Sequence, residues 1–219
     1  MDNSSNGNDT KQRILECAAN LFAEKGYTET TIRELAEALG LNPASLYYHF
    51  TSKNAILEHM LENYSAYNID IFIDRDLSRL LKDNPTPEGI LSCLQLAFPP
   101  EHREYYVKVL CVLLQEQLRN PMVRDYVSKY IIQTTEDSVK TIINALKELG
   151  ALRPDTDPDY WAKIHSSLVY SFSARMMLGI GDAAPGFEGM NMAELLRHNY
   201  DLLFAQYGTA KDGQKPEPE

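Results

Sequence analysis

One run of eight residues, Asn42-Pro43-Ala44-Ser45-Leu46-Tyr47-Tyr48-His49, gathers the side chains of this 219-residue chain best suited to recognising another molecule. Asn42 is a strong helix N-cap and Pro43 suits the first helical position, so a helix starts here. It ends near His49 and is too short to be stable alone. Leu46 and Phe50, four apart, are the anchors by which it would pack on its neighbours. The other side chains are left outside or at the edges. Small residues at the N-terminal end allow close approach to a groove floor, and the tyrosines and histidine reach phosphates or bases. The helix start also offers free amides and a positive dipole end to a phosphate. On periodicity alone, a plain helical corner of a bundle is an equal reading. The Tyr47-Tyr48-His49 cluster shifts the balance, because such a corner more often carries Glu and Lys. A protein-interaction module without DNA affinity is the alternative use of the same cluster.

The flanking residues supply what would position this helix. Thr31-Ile32-Arg33-Glu34 has the form of a capping box and opens a helix burying Ile32, Leu35, Ala36 and Leu39. That helix stops at Gly40, and the Gly40-Leu41 linker is tight enough to force the steep crossing of a helix-turn-helix. Upstream, Ile14, Cys17, Ala18, Leu21 and Phe22 form one stripe of a helix over about 11–25, closed by Gly26 as an αL cap. Downstream, Ser52 caps a long helix carrying Ile56, Leu57, Met60, Leu61, Tyr64, Tyr67 and Ile71, which continues as a connector to about residue 81.

Beyond it the punctuation stays helical. Prolines at 85, 87, 99, 100, 121 and 158 and glycines at 150 and 179–189 separate helices over about 86–98, 101–118, 122–149, 158–178 and 192–207. No alternating strand pattern occurs, so the expected class is all-α, with about nine helices. The expected organisation is a polar, disordered tail at 1–9, a helix-turn-helix domain at 10–57, a larger helical domain at 68–207, and a second disordered tail at 208–219.

Composition narrows the function classes. No apolar run is long enough to span a membrane, and the polar N-terminus lacks a secretory core, so a cytoplasmic location is expected. Cys17, Cys93 and Cys111 sit apart in apolar stretches, as reduced core thiols do. The net charge is −10, yet Thr10–Lys53 carries five basic and five acidic residues and is neutral. A neutral head on an acidic body can bind DNA if its few cations face the phosphates. No GxSxG, P-loop, GxGxxG or HExxH is present, and the five histidines show no metal-ligand spacing. Catalysis, a cofactor and a metal are therefore not expected.

The residues from Thr10 to Leu57 resemble the N-terminal domain of TetR-type (tetracycline-repressor-like) transcription regulators. The matching runs are Ala18-x-x-Leu21-Phe22-Ala23-Glu24-Lys25-Gly26-Tyr27, Thr31-x-Arg33-x-Leu35-Ala36 and Gly40-Leu41-Asn42-Pro43-Ala44-Ser45-Leu46-Tyr47-Tyr48-His49-Phe50-x-Ser52-Lys53. The resemblance implies a homodimer on a pseudo-palindromic DNA operator, released by a small-molecule effector, usually relieving repression. It implies that Asn42, Pro43, Ala44 and Ser45 meet base edges, that Thr31, Tyr47, Tyr48, His49 and Lys53 mostly hold phosphates, and that Arg33 reaches either. The reading helix lacks Arg, Lys and Gln, so Asn42 is its one evident bidentate base reader and thymine methyls and DNA shape carry more of the specificity.

The resemblance further implies dimerisation through the eighth and ninth helices, about 158–178 and 192–207. Ser166, Ser167, Ser171, Ser173 and Ala174 on the first, and Leu195, Leu196, Leu203 and Phe204 on the second, suit that role and an intrachain core equally. Tyr105, Tyr106, Tyr126, Tyr130, His165, Tyr170 and Arg175 interrupt the apolar stripes. Of these, Tyr106, Tyr126, Tyr130, His165, Tyr170 and Arg175 are the candidates for lining an effector pocket. The plainer alternative for Arg175 is a salt bridge to an acid such as Glu194 or Asp201.

Overall fold

In the computed structural model, residues 3–73, 77–95, 103–177 and 191–209 are described. They are helical almost throughout, with one isolated antiparallel bridge between Leu152 and Gly208. The helices are α1 (Asn3–Lys25), α2 (Ile32–Ala38), α3 (Pro43–His49), α4 (Lys53–Ile73), α5 (Leu77–Asp83), α6 (Pro87–Gln95), α7 (Arg103–Glu116), α8 (Pro121–Tyr126), α9 (Thr134–Glu148), α10 (Pro158–Met177) and α11 (Met192–Tyr207). A π-helical segment, Val127–Gln133, joins α8 to α9. The loop expected at 179–190 lies outside the described residues.

The chain divides into two compact units, Met1–Asp70 with Phe98–Tyr130, and Ile71–Ala97 with Ile131–Glu219. In the first, α1 packs along α7 and against α2 and α3. Ile14, Ala18, Phe22, Leu35, Leu46, Ile56, Leu57, Met60, Val112 and Leu113 are all fully buried, the stripes that the 3.6-residue period marks out. The sequence pattern assigned residues 103–130 to the larger domain. The packing of α7 on α1 instead groups them with the N-terminal helices.

The second unit builds its core from α5, α6, α9, α10 and α11. Leu81, Ile90, Val139, Ile142, Leu146, Trp161, Ala162, Leu196, Tyr200 and Leu203 form one buried cluster. Within it the His165 Nδ1 lies 2.8 Å from the Tyr200 hydroxyl. Burial lowers the imidazole pKa to about 4, so the ring is neutral and shares one hydrogen bond with the phenol. The Ser166 hydroxyl donates to Glu136 Oε1 at 3.0 Å, tying α10 to α9.

The local signals that end and begin these helices act as expected. Past α2, Gly40 (φ 67°) donates to the Glu37 carbonyl and Leu41 donates to the Ala36 carbonyl, a complete Schellman closure. Asn191 and Glu194 form a reciprocal capping box at the start of α11.

Two boundaries differ from the sequence reading. The first helix reaches back to Asn3, so most of the expected N-terminal tail is helical. Once a packed helix exists, each added residue gains a backbone hydrogen bond without a new nucleation cost. At the other end, Arg153 N–H donates to the Tyr207 carbonyl and Thr209 N–H to the Ala151 carbonyl, holding Gly208 and Thr209 in the fold. Residues 210–219 of the expected C-terminal tail lie outside the described residues.

Candidate nucleic-acid interface

The short helix α3 is held from below and open above. Leu46 is fully buried and Phe50, its C-cap, nearly so, with the Phe50 ring edge-on to His59 at 5.3 Å. Pro43, Ala44, Tyr47 and Tyr48 are exposed. Positions 43 and 47, and 44 and 48, are one helical turn apart, so these four side chains share a face. Tyr48 is 87% exposed, extreme for so large an aromatic residue, and its ring stands edge-on to half-buried His49 at 5.2 Å.

Asn42 and Ser45 do something else. Asn42 Oδ1 accepts from the Ser45 N–H at 2.8 Å and from the Ser45 hydroxyl at 3.1 Å. Both acceptor directions of that oxygen are therefore engaged in starting α3. A bidentate pairing of Asn42 with adenine would require the same oxygen as acceptor. Its side-chain amide remains able to donate.

Thr31 is likewise committed to the helix it starts. Its hydroxyl accepts from the Glu34 N–H at 3.2 Å, and Glu34 Oε2 accepts from the Thr31 N–H at 2.8 Å and hydroxyl at 2.9 Å. These donors, the Thr31 backbone first and then Lys25, lower the Glu34 pKa to about 2. Lys25 Nζ pairs with Glu34 at 3.1 Å. Arg33 is exposed on α2.

Lys53 departs most from expectation. Its ammonium donates to the carbonyls of Tyr27 (2.6 Å), Thr28 (3.2 Å) and Thr30 (2.7 Å) and lies 4.4 Å from the centre of the Tyr27 ring. An ammonium has three N–H donors, and all three are taken. Burial lowers its pKa, opposed by the charges of Glu116, Glu29 and Glu34. The expected phosphate contact would have to displace one of these bonds. Sequence reasoning missed the groups around it: Tyr27, stacked edge-on to Phe22 at 5.1 Å, and buried Thr30, whose hydroxyl donates to the Gly26 and Leu21 carbonyls. Two adjacent threonines before a helix were a usable signal, since one cap needs only one hydroxyl.

The six effector candidates fall in different units. Tyr106, Tyr126 and Tyr130 belong to the first. There the Tyr126 hydroxyl donates to the Leu61 carbonyl at 2.8 Å and meets the Ser65 hydroxyl at 2.7 Å, while its ring packs on Tyr130. Tyr106 packs against Tyr64 and Tyr105. His165, Tyr170 and Arg175 belong to the second unit, on α10. Tyr170 and Arg175 are half-buried. Glu194, an expected partner for Arg175, is engaged as the capping-box acceptor of Asn191.

A short recognition helix with one outward face, set across a Schellman turn from a capped helix and held by an all-helical body, defines a helix-turn-helix DNA-binding transcriptional regulator. Residues 14–60 match the family described as "Bacterial regulatory proteins, tetR family". Over that helix-turn-helix domain the chain is similar to regulators of the tetR family. One relative is the biofilm operon icaADBC HTH-type negative transcriptional regulator IcaR of Staphylococcus epidermidis, 27% identical over 61% of this chain and 78% of that protein. Another is the HTH-type transcriptional repressor KstR2 of Rhodococcus jostii, 38% identical, but over only 29% of this chain and 31% of that protein. A solved transcriptional regulator from Saccharomonospora viridis, in complex with choline, covers 93% of this chain and all of its own length at a TM-score of 0.67. At 22% identity that likeness establishes the shared fold.

Proposed function

We propose that the protein is a homodimeric repressor that seats α3 in the major groove of a pseudo-palindromic operator and releases the DNA when a small molecule binds. The observation that carries the reading is the outward face of α3, where Pro43, Ala44, Tyr47 and Tyr48 stand exposed on a helix anchored by Leu46. Small residues on that face permit close approach to the groove floor, and the tyrosines reach the phosphates beside it. Repression is supported by the negative regulators among the relatives, and effector control by the choline bound to the Saccharomonospora viridis regulator.

Dimerisation through α10 and α11 uses what their intrachain core leaves outside. Ser167 and Ser171 on α10 and Leu202 on α11 are exposed, whereas Ser166, Leu196 and Leu203 are engaged within the chain. Of the effector candidates, Tyr126 and His165 hold internal hydrogen bonds within their own units. The protein acts in the cytoplasm, where the DNA is, and catalyses no reaction. Among the described residues, no helix is long and apolar enough to cross a membrane.

Coupling runs along α4. Its 21 residues, Lys53–Ile73, span about 30 Å at 1.5 Å per residue. A ligand that favours a spacing of the two α3 helices other than the ~34 Å of one DNA turn opposes binding by its differential affinity alone.

The test is selection from a random duplex library with purified protein, followed by a salt titration on the winner. An enriched two-fold-symmetric site with salt-sensitive affinity is expected. A folded dimer that enriches nothing at low salt, even after refolding free of ligand, would leave the exposed tyrosine face to a protein partner.

A further inference from the structure

The geometry points to Lys53 as a positioning residue for the reading head: its ammonium clamps the 27–30 loop that sets the start of α2, and buried Glu116 of α7 supplies the counter-charge that keeps it there.

The clamp is built from both sides of the loop. Lys53 is the first residue of α4, fixed by the Ser52 cap, whose hydroxyl accepts from the Ala55 N–H at 3.0 Å. From there it reaches back to three loop carbonyls and the face of Tyr27. On the opposite side the Thr30 hydroxyl fastens the same loop to the end of α1. Thr31, the next residue, caps α2, and Arg33 lies two residues further on, so fixing the loop fixes where these two stand.

A half-buried ammonium bonded only to neutral carbonyls needs a compensating charge nearby. Glu116 is 5% exposed and is the largest of three acidic charges that favour the Lys53 ammonium, ahead of Glu29 and Glu34, and it acts on Tyr27 as well. It sits at the end of α7, beside Gln115, whose side-chain amide donates to the Ala23 carbonyl of α1 at 3.3 Å. This inference deepens the operator-binding reading and rests on it for its consequence, though not for its geometry.

Two measurements on Lys53→Met, Lys53→Arg and Glu116→Gln test it. The first is amide hydrogen exchange of residues 27–34 in the free protein, which needs no DNA. Faster exchange of roughly tenfold is expected in the two Lys53 variants, the effect of losing a charge-assisted hydrogen bond, and a smaller increase in Glu116→Gln, which leaves those bonds but removes a counter-charge. Lys53→Arg is included because a planar guanidinium keeps the charge but cannot aim three donors at three converging carbonyls. It also serves if Lys53→Met does not fold.

The second measurement is affinity for the selected duplex against salt. Lys53→Met should weaken binding several-fold with an unchanged salt slope, because the ammonium neutralises no phosphate. Glu116→Gln should also weaken binding, although removing a negative charge ordinarily strengthens affinity for a polyanion. Native exchange in Lys53→Met, or in Lys53→Arg if Lys53→Met does not fold, would overturn the clamp, and a Lys53→Met slope reduced by about one would make Lys53 a phosphate contact. Tighter binding by Glu116→Gln with native exchange would remove Glu116 from it. If the parent binds no duplex, the operator reading fails while the exchange data still decide the clamp.

Discussion

At the scale of single residues, the molecule separates side chains that build the recognition helix from those that face outward. Tyr48, the most exposed large apolar side chain among those described, takes no part in the core. Tyr48→Ala should leave the thermal midpoint nearly unchanged and weaken operator affinity about tenfold, a cost of ~1.4 kcal/mol, read by titration of a labelled duplex. Two titrating groups give opposite kinds of information. Glu34 is solvent-exposed with a pKa near 2, against an ordinary 4.5. Its cap stabilises fully above about pH 4.5 and loses that contribution as the pH falls toward 2; a carboxyl NMR titration reads it directly. His165 is buried and held neutral, with its pKa lowered from 6.5 to about 4. The unfolded chain binds the extra proton, so stability falls as the pH drops from 6.5 toward 4. The loss is of order 3 kcal/mol, at ~1.4 kcal/mol per pH unit. Denaturant unfolding from pH 7 to 4 should show it, and His165→Gln should flatten the profile.

At the scale of elements, the fold depends on how short helices are begun and ended. Gly40 has open space around its missing side chain, so Gly40→Ala meets no clash and its cost is conformational, about 1 kcal/mol for leaving φ 67°. Thermal or denaturant unfolding measures it. Leu46→Ala removes the one fully buried side chain of α3 and should cost 2–5 kcal/mol, roughly, in the same assay. These features were legible in the sequence because each is local. Asn42 with Pro43, Thr31 with Glu34, and Gly40 announce themselves by residue type within a single turn. The role of Lys53 was not legible. Its partners are main-chain carbonyls 23 to 26 residues earlier in the chain, and no residue type marks an available carbonyl. The same limit hid the Glu116 contact. It also explains why exposure could be read for Tyr47 and Tyr48, while the engagement of the Asn42 oxygen could not.

At the scale of the whole molecule, a chain of net charge −10 approaches a polyanion through a head whose cations are few. Lys25 is paired with Glu34 and Lys53 with carbonyls. The salt slope of operator binding should therefore be shallow for a dimeric repressor, with few phosphates neutralised per head. A slope near ten, which takes roughly ten neutralised phosphates, would mean that the cations rearrange on DNA. The all-helical class was legible because nearly all the described segments obey one period. The division into two units was not, because the packing of α7 on α1 is a contact between residues about ninety apart.

One stretch bears on what length the chain tolerates. In α8 the buried positions are 123 and 126, followed by 127, and in α9 they are 138, 139, 142, 143, 145 and 146. The π-helical segment that follows α8, Val127–Gln133, closes its bonds over one residue more per turn than an α-helix does. A single deletion there has a regular helix to relax into, whereas the same deletion inside α9 would rotate its apolar stripe out of the core.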